Sequence, residues 1–140
     1  MSVSLVIVSH SVRLAEGVAE LAGQMAHGKV AIAVAGGTAE GDLGTSVEKI
    51  LAALQKVDGP DGILVLLDLG SAVMATEMAV EAFADTSAHR VSISSAPLVE
   101  GAVIAAVEAS VGNSLEEVAE AAAGASSLPK GKTTESRGKG

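Results

Sequence analysis

Two polar residues at the ends of apolar runs have the types that nucleophilic chemistry requires. His10 follows the run Val3 to Ser9, and Asp68 ends the run Gly62 to Asp68. A carboxylate that accepts one ring N–H of a histidine fixes the tautomer and leaves the other nitrogen unprotonated as a nucleophile. We therefore predict that His10 attacks and Asp68 holds its ring. The alternative roles are a surface histidine and a helix N-cap.

Two glycine-containing turns follow predicted strands. Such turns offer backbone N–H groups to phosphoryl oxygens, and a helix that begins near Ser71 adds positive potential. Glycine-containing turns also occur in loops that bind no ligand. Neither turn matches the nucleotide-binding spacing G-x-x-x-x-G-K-[ST]. The predicted phosphate surroundings are Arg13, Gly36, Gly37, Thr38, Gly70 and Ser71.

A Ser-His-Asp hydrolase is the main alternative chemistry, with Ser9, Ser11 or Ser71 as the nucleophile. The sequence lacks the G-x-S-x-G motif, and serines next to His10 on a strand are expected to point away from it, which disfavours a hydrolase. We expect structural roles for His27, near a helix end, and His89, before a strand. The sequence has no cysteine, which excludes thiolate ligands, and we predict no metal at the site.

Four short runs rich in Val and Ile predict strands, and the segments between them show helical periodicity. The predicted strands cover residues 3–9, 29–35, 62–68 and 90–96. The predicted helices cover Leu14–Met25, a segment opened by a Thr45–Glu48 capping box, Ser71–Phe83, Pro97–Ser110 and a segment opened by a Ser114–Glu117 capping box.

The alternation of strands and helices predicts an α/β fold with an open, mainly parallel four-stranded sheet and helices on both faces. Ligands of such sheets bind beyond the carboxyl ends of the strands, where the strand order reverses. In the order 2-1-3-4, His10 and Asp68 would lie on neighbouring strands. We expect one domain over residues 1–125 and a flexible basic tail, or a linker cut from a longer protein, over residues 126–140.

Composition and charge narrow the classes of partner. The 140 residues carry a net charge of −8, and residues 129–140 hold four cations against one glutamate, a net +3 that leaves −11 on the rest. An acidic surface repels nucleic acid and anionic lipid and attracts basic protein surfaces. We therefore expect no binding to nucleic acid or to anionic membrane surfaces. Because no apolar run approaches about 18 residues, we also expect no membrane span and a cytoplasmic protein.

Three segments, in the same order, resemble the DhaM family, the phosphotransfer subunits of dihydroxyacetone kinase. They are I-V-S-H-S-V-R-L-A-E-G at Ile7–Gly17, L-D-L-G-S-A at Leu67–Ala72 and A-P-L-V-E-G-A at Ala96–Ala102. The resemblance covers about residues 3 to 123, and the amino-terminal domain of that family is similar to mannose-type EIIA domains of the sugar phosphotransferase system. The transporter domains tend to show H-G and G-G-S-P, where this sequence has His10-Ser11 and Gly70-Ser71-Ala72.

The resemblance implies a phosphoryl relay driven by phosphoenolpyruvate. Phospho-HPr would phosphorylate His10, and His10 would pass the group to ADP held by a separate subunit, DhaL, whose ATP phosphorylates dihydroxyacetone bound by DhaK. It also implies a homodimer, an HPr on a separate chain, Asp68 beside the active histidine, a loop at residues 70–72 around the phosphate, and no permanently bound cofactor. A mannose-type EIIA domain of a sugar transporter and a phosphorylation-controlled regulatory interaction domain are the alternatives.

Overall fold

The computed structural model describes residues 2–138, and its central element is a sheet of four parallel strands. The strands are β1 (Ser4–Ser9), β2 (Ile32–Gly36), β3 (Ile63–Leu67) and β4 (Val91–Ile93). Their spatial order is β2-β1-β3-β4, so the predicted α/β class and the strand order 2-1-3-4 are confirmed. β1 and β3 are neighbours, with Val8 paired to Leu67.

Five α-helices connect and cover the strands. They are α1 (Val12–Met25), α2 (Val47–Lys56), α3 (Ser71–Ala84), α4 (Leu98–Ser110) and α5 (Leu115–Ala123), and a short 3-10 helix follows at Gly124–Ser127. Within residues 2–138, no helix is long and apolar enough to cross a membrane.

The sheet separates two hydrophobic cores, because successive residues of a strand point to opposite faces. Helices α1, α4 and α5 cover one face, against Leu5, Ile7, Leu64 and Leu66. Helices α2 and α3 cover the other face, against Val6, Val8, Ile63 and Val65, and Phe83 is fully buried there. β1 and β3 are buried throughout, and the polar residues that follow their apolar stretches, Ser9 and His10 after Val8 and Asp68 after Leu67, lie at the same edge of the sheet.

The predicted capping box of α2 is wrong by one residue. The N-cap is Ser46, whose hydroxyl accepts from the Lys49 N–H at 3.2 Å, rather than Thr45. The preceding loop is tied to β1, since the Gly44 N–H donates to the His10 carbonyl at 2.9 Å. We attribute the later helix start to this tether, since the backbone of Ser46 is still extended, with φ −135° and ψ 118°. The Ser114–Glu117 capping box of α5 is confirmed.

The two edge strands are shorter than predicted. β2 begins at Ile32, because the turn after α1 continues through Lys29, whose N–H donates to the Ala26 carbonyl. β4 ends at Ile93, because the Ser94 hydroxyl accepts from the Ala96 N–H and turns the chain out of the sheet. Pro97 is the N-cap of α4 and not part of its first turn.

At Gly101, α4 lies so close to the sheet that a side chain would clash. A Cβ at Gly101 would lie 2.6 Å from the Ala96 Cβ and 3.1 Å from Leu66 Cδ2, whereas a Cβ at Gly17 of α1 would meet nothing within 4 Å. We expect Gly101→Ala to lower the free energy of unfolding by about 1–3 kcal/mol through overpacking. Gly17→Ala, the matched control, should raise it by up to about 1 kcal/mol through helix propensity. Urea unfolding measures both, and equal effects of the two substitutions would contradict the close approach.

Candidate functional site

The site lies at the carboxyl edge of the sheet, where β1 and β3 end side by side. His10 Nδ1 is 3.0 Å from Asp68 Oδ1, and the His10 backbone N–H donates to Asp68 Oδ2 at 2.9 Å. The side chains are 25% and 12% exposed. The carboxylate therefore binds the main chain and the ring of the same histidine, which fixes the ring relative to the strand that carries it.

Asp68 accepts hydrogen bonds at both oxygens. Oδ1 accepts from the Leu69 N–H at 2.6 Å as well as facing the His10 ring, and Oδ2 accepts from the Ser9 hydroxyl at 2.9 Å as well as from the His10 N–H. Partial burial acts to raise the pKa of Asp68, but the hydrogen bonds from His10, Leu69 and Ser9 outweigh it and lower the pKa below the ordinary 3.8. Asp68 is therefore an ionised acceptor at neutral pH.

An ionised carboxylate can only accept, so the neutral His10 ring donates to it from Nδ1. That leaves the lone pair of Nε2 free of Asp68. The Ser71 hydroxyl lies 2.6 Å from Nε2 and is exposed, so it donates to Nε2 in this tautomer. The histidine thus presents one nucleophilic nitrogen toward the beginning of α3.

The beginning of α3 is not capped by a side chain. Its N-cap is Gly70, and Asp68 binds the Leu69 N–H and His10 instead of capping the helix. The Ala72 and Val73 N–H groups donate to the Leu69 and Gly70 carbonyls. In the described part of the chain, the N–H groups of Gly70 and Ser71 have no acceptor. Two free amides at a helix N-terminus favour an anion.

The turn after β2 uses its polar groups within the fold. The Gly37 N–H donates to the Ser9 carbonyl at 3.1 Å, and Gly37 has a φ of +70°. Thr38 donates from its N–H to the Asp42 carbonyl and accepts from the Asp42 N–H at Oγ1. A Cβ at Gly36 would lie 2.6 Å from the Val12 Cα. Gly36 and Gly37 therefore fit tight backbone packing, and the amides of Gly37 and Thr38 are already paired.

Arg13 and Ala72 lie at the margin of the site. Arg13 is exposed on the first turn of α1 and lines, with Glu16 and Leu43, a cleft of about 620 Å³ beside the loop after β2. It makes no ion pair with the residues that the structure describes. Ala72 is fully buried, so its side chain belongs to the core below α3.

Ser71, His10 and Asp68 stand in the order of a hydrolase triad. Of the three serines considered, only Ser71 contacts the His10 ring. Ser11 caps α1, and Ser9 binds Asp68. In a serine hydrolase, the N–H after the nucleophile stabilises the oxyanion, but the Ala72 N–H already donates to the Leu69 carbonyl. This arrangement disfavours acyl transfer.

A second histidine–carboxylate pair lies at the opposite edge of the sheet. His89 Nδ1 is 2.8 Å from Asp58 Oδ1, and the Ser87 hydroxyl donates to the same oxygen at 3.1 Å. These residues precede β4 and β3 and connect two loops. His27 is exposed at the end of α1 with a φ of +56°. In residues 2–138, no cluster of three or more histidine, cysteine or acidic side chains could hold a metal ion.

Ser9 is the residue that sequence reasoning missed. We considered it only as a nucleophile, and its hydroxyl instead reaches the carboxylate behind the histidine. The available signal was a serine directly after the apolar run Leu5 to Val8 and directly before His10, on a strand predicted to be covered on both faces. Buried hydroxyl groups are almost always hydrogen-bonded, so a partner within the site was to be expected.

The fold and the site together define an open parallel α/β domain with a histidine–aspartate pair at its functional edge. Comparison with known families matches residues 4–119 to the EIIA-man family, described as the PTS system fructose IIA component. The chain therefore belongs to the EIIA-man family of the phosphotransferase system.

Among curated proteins, the chain is similar to phosphoryl donor subunits named DhaM, which confirms the resemblance drawn from the three segments. The Escherichia coli subunit of PEP-dependent dihydroxyacetone kinase is 43% identical over 83% of this chain. The chain spans about a quarter of the length of that relative, 25%. A Listeria innocua subunit of PEP-dependent dihydroxyacetone kinase 2 is 36% identical, over 83% of this chain and 93% of its own length.

A solved structure titled unknown function protein EF1359 is 34% identical to the chain. It has a TM-score of 0.80 and matches over 95% of this chain and all of its own. The α/β architecture described above is therefore shared by a solved structure over nearly the whole chain.

Because Asp68 is ionised, we expect the thermal stability of the protein to change with pH in the acid range. Its pKa is lower in the folded than in the unfolded chain, where it is about 4, so its contribution is complete above that pH and is lost as the pH falls through the folded pKa. We expect the difference in Tm between wild type and Asp68→Asn to shrink as the pH is lowered from about 5 to 3. Thermal denaturation measures it. Asp61→Asn, at an exposed residue, is the control. A difference that grows toward pH 3 would contradict this account.

Proposed function

We propose that the chain is a cytoplasmic phosphocarrier that accepts a phosphoryl group on Nε2 of His10 from phospho-HPr. It then passes the group to ADP held by DhaL, as the phosphohistidine subunit of a phosphoenolpyruvate-dependent dihydroxyacetone kinase. The observation that carries the proposal is the 3.0 Å contact between His10 Nδ1 and Asp68 Oδ1, which occupies one ring nitrogen and leaves the lone pair of Nε2 facing the rotatable Ser71 hydroxyl.

The first transfer needs a neutral ring with a free lone pair. Nε2 attacks the phosphorus of phospho-HPr, the N–P bond of the donor breaks, and its electron pair returns to the donor's ring nitrogen. The His10 ring gains positive charge as the new N–P bond forms. The carboxylate of Asp68, which accepts the Nδ1–H, stabilises that charge without taking the proton.

The second transfer reverses the roles of donor and acceptor. An oxygen of the terminal phosphate of ADP attacks the phosphorus on His10, the N–P bond breaks, and its electron pair returns to Nε2. ATP forms on DhaL and serves the phosphorylation of dihydroxyacetone on DhaK. In both directions the chain supplies position and charge stabilisation, since little other covalent chemistry is required of a protein in phosphoryl transfer.

The beginning of α3 supports an anion at this place. The free N–H groups of Gly70 and Ser71 and the dipole of a 14-residue helix favour phosphoryl oxygens. The Ser71 hydroxyl, which donates to Nε2 in the unphosphorylated protein, has to rotate away from the nitrogen and can then donate to a phosphoryl oxygen. We assign Ser71 this displacement and not a nucleophilic role.

The choice of kinase over transporter depends on the relatives. The Escherichia coli and Listeria innocua relatives are both phosphoryl donor subunits of PEP-dependent dihydroxyacetone kinases. The segment Gly70-Ser71-Ala72 departs from the G-G-S-P pattern of the transporter domains. The net charge of −8 suits a donor with a basic docking surface. The two alternatives, an EIIA domain of a sugar transporter and a regulatory interaction domain, differ from the kinase subunit in the protein that accepts the phosphoryl group.

We expect the chain to gain one phosphoryl group from phosphoenolpyruvate, enzyme I and HPr, and to lose it to DhaL with ADP. Intact mass spectrometry follows both steps. His10→Ala should abolish labelling, because it removes Nε2. His89→Ala should label normally, although His89 has the same Nδ1–carboxylate contact, with Asp58 at 2.8 Å.

The outcomes separate the candidates. Labelling that survives His10→Ala would exclude the proposed acceptor. A phosphoryl group that leaves only in the presence of a sugar-transporter EIIB domain would assign a transporter. A group that none of these proteins removes would favour the regulatory domain.

We also propose a homodimer formed through the exposed apolar face of α3. Leu69, Met74 and Met78 are 62%, 71% and 59% exposed, and Met74 and Met78 are four residues apart on one helix face. Monomers rarely expose contiguous apolar patches of this kind, and the neighbouring β4 is an edge strand. A second copy of the chain would cover both features.

Sedimentation analysis tests the dimer. We expect Met74→Glu with Met78→Glu to convert the dimer to a monomer, because two charges would be buried without partners. Met25→Glu, at a methionine that is 48% exposed on α1, is the matched control and should leave the dimer intact. A monomeric wild-type protein, or a dimer that tolerates both α3 substitutions, would contradict the proposal.

A further inference from the structure

We propose that Ser9 is a positioning residue for His10 that acts through Asp68. This inference deepens the proposed phosphocarrier function and rests on it for its effect on transfer. The effect on the histidine ring itself needs no phosphoryl group and can be measured alone.

Ser9 is fully buried at the end of β1 and has a complete set of partners. Its hydroxyl lies 2.9 Å from Asp68 Oδ2, and the Ser11 N–H lies 3.0 Å from the same hydroxyl oxygen. The Ser11 N–H can only donate, so the Ser9 oxygen accepts there. The single hydroxyl proton is then directed to the carboxylate, which can only accept.

The Ser9 bond determines how the carboxylate is turned. Oδ2 is held by two donors, the Ser9 hydroxyl and the His10 N–H, and this leaves Oδ1 aimed at the His10 ring. Without the hydroxyl, Oδ2 keeps one donor, the His10 N–H, and Oδ1 keeps the Leu69 N–H, so the carboxylate is held less firmly against rotation about its Cβ–Cγ bond. The alignment of Oδ1 with Nδ1 then weakens.

The tautomer of His10 depends on that alignment. Which ring nitrogen carries the proton is set by the hydrogen bond that the other ring nitrogen makes. A residue that orients the hydrogen-bond partner of a histidine therefore also affects the tautomer of that histidine. A loosened Asp68 therefore raises the share of rings protonated at Nε2. Those rings have no lone pair at the position that faces the Ser71 hydroxyl, and they cannot accept a phosphoryl group there.

Ser94 offers a matched control within the same sheet. Like Ser9, it is a buried serine at the carboxyl end of a strand, and its hydroxyl accepts from the N–H two residues later, that of Ala96, at 3.1 Å. Among residues 2–138, its hydroxyl has no hydrogen bond to a carboxylate. Ser94→Ala therefore removes the same local hydroxyl–backbone bond without touching Asp68.

The test reads the ring nitrogens by two-dimensional ¹⁵N NMR at a pH where histidine is neutral, together with the rate of labelling by phospho-HPr. In the wild type we expect the Nδ1–H tautomer at His10. Ser9→Ala should shift the population toward Nε2–H and slow labelling roughly three- to tenfold, the net effect of one ordinary hydrogen bond. Ser9→Cys, which keeps the shape of the side chain but carries a larger and weakly donating S–H group, should shift the population in the same direction.

Ser9→Thr restores the hydroxyl and should restore both the tautomer and the rate, and Ser94→Ala should change neither. The proposal is overturned if Ser9→Ala keeps the wild-type tautomer, or if Ser94→Ala slows labelling as much as Ser9→Ala does. If the wild type accepts no phosphoryl group while the tautomer shifts as expected, the phosphocarrier function fails and the positioning role stands.

Discussion

The hydrogen bond between Asp68 and the His10 ring is the interaction on which the site depends. It can form because β1 and β3 are neighbours in the sheet and end at the same edge. His10 and Asp68 directly follow buried, closely packed strands, and this packing restricts the movement of their backbones. The packing of the core therefore helps to hold Nδ1 and Oδ1 at 3.0 Å. The two cores and the sheet order hold His10 and Asp68 together, and the beginning of α3 places Ser71 at the other ring nitrogen.

The position of the site was predictable from sequence because it depends on where strands end. His10 and Asp68 interrupt apolar runs, and parallel strands with crossover helices bring such ends together. The strand order 2-1-3-4 had to be assumed, and the structure confirmed it. The start of α2 was missed by one residue because a tertiary hydrogen bond, from Gly44 to His10, decides it.

The hydrogen bonds around the carboxylate could not be read from the sequence. Ser9 is 59 residues from Asp68 and Ser71 is 61 residues from His10, and these pairs meet at the edge only through the packing of β1 against β3 and α3. The glycines after β2 show the opposite case. Their types suggested an anion site, but Gly37 donates to Ser9 and Gly36 packs against Val12, so steric demand explains them.

A single open nitrogen has a kinetic consequence for a carrier of this geometry. With Nδ1 facing Asp68, donor and acceptor must approach Nε2 through the same space. The two partners therefore cannot react from a ternary complex and have to bind in turn. Steady-state exchange through such a centre follows a ping-pong scheme, in which each partner competes with the other for the unloaded or loaded histidine.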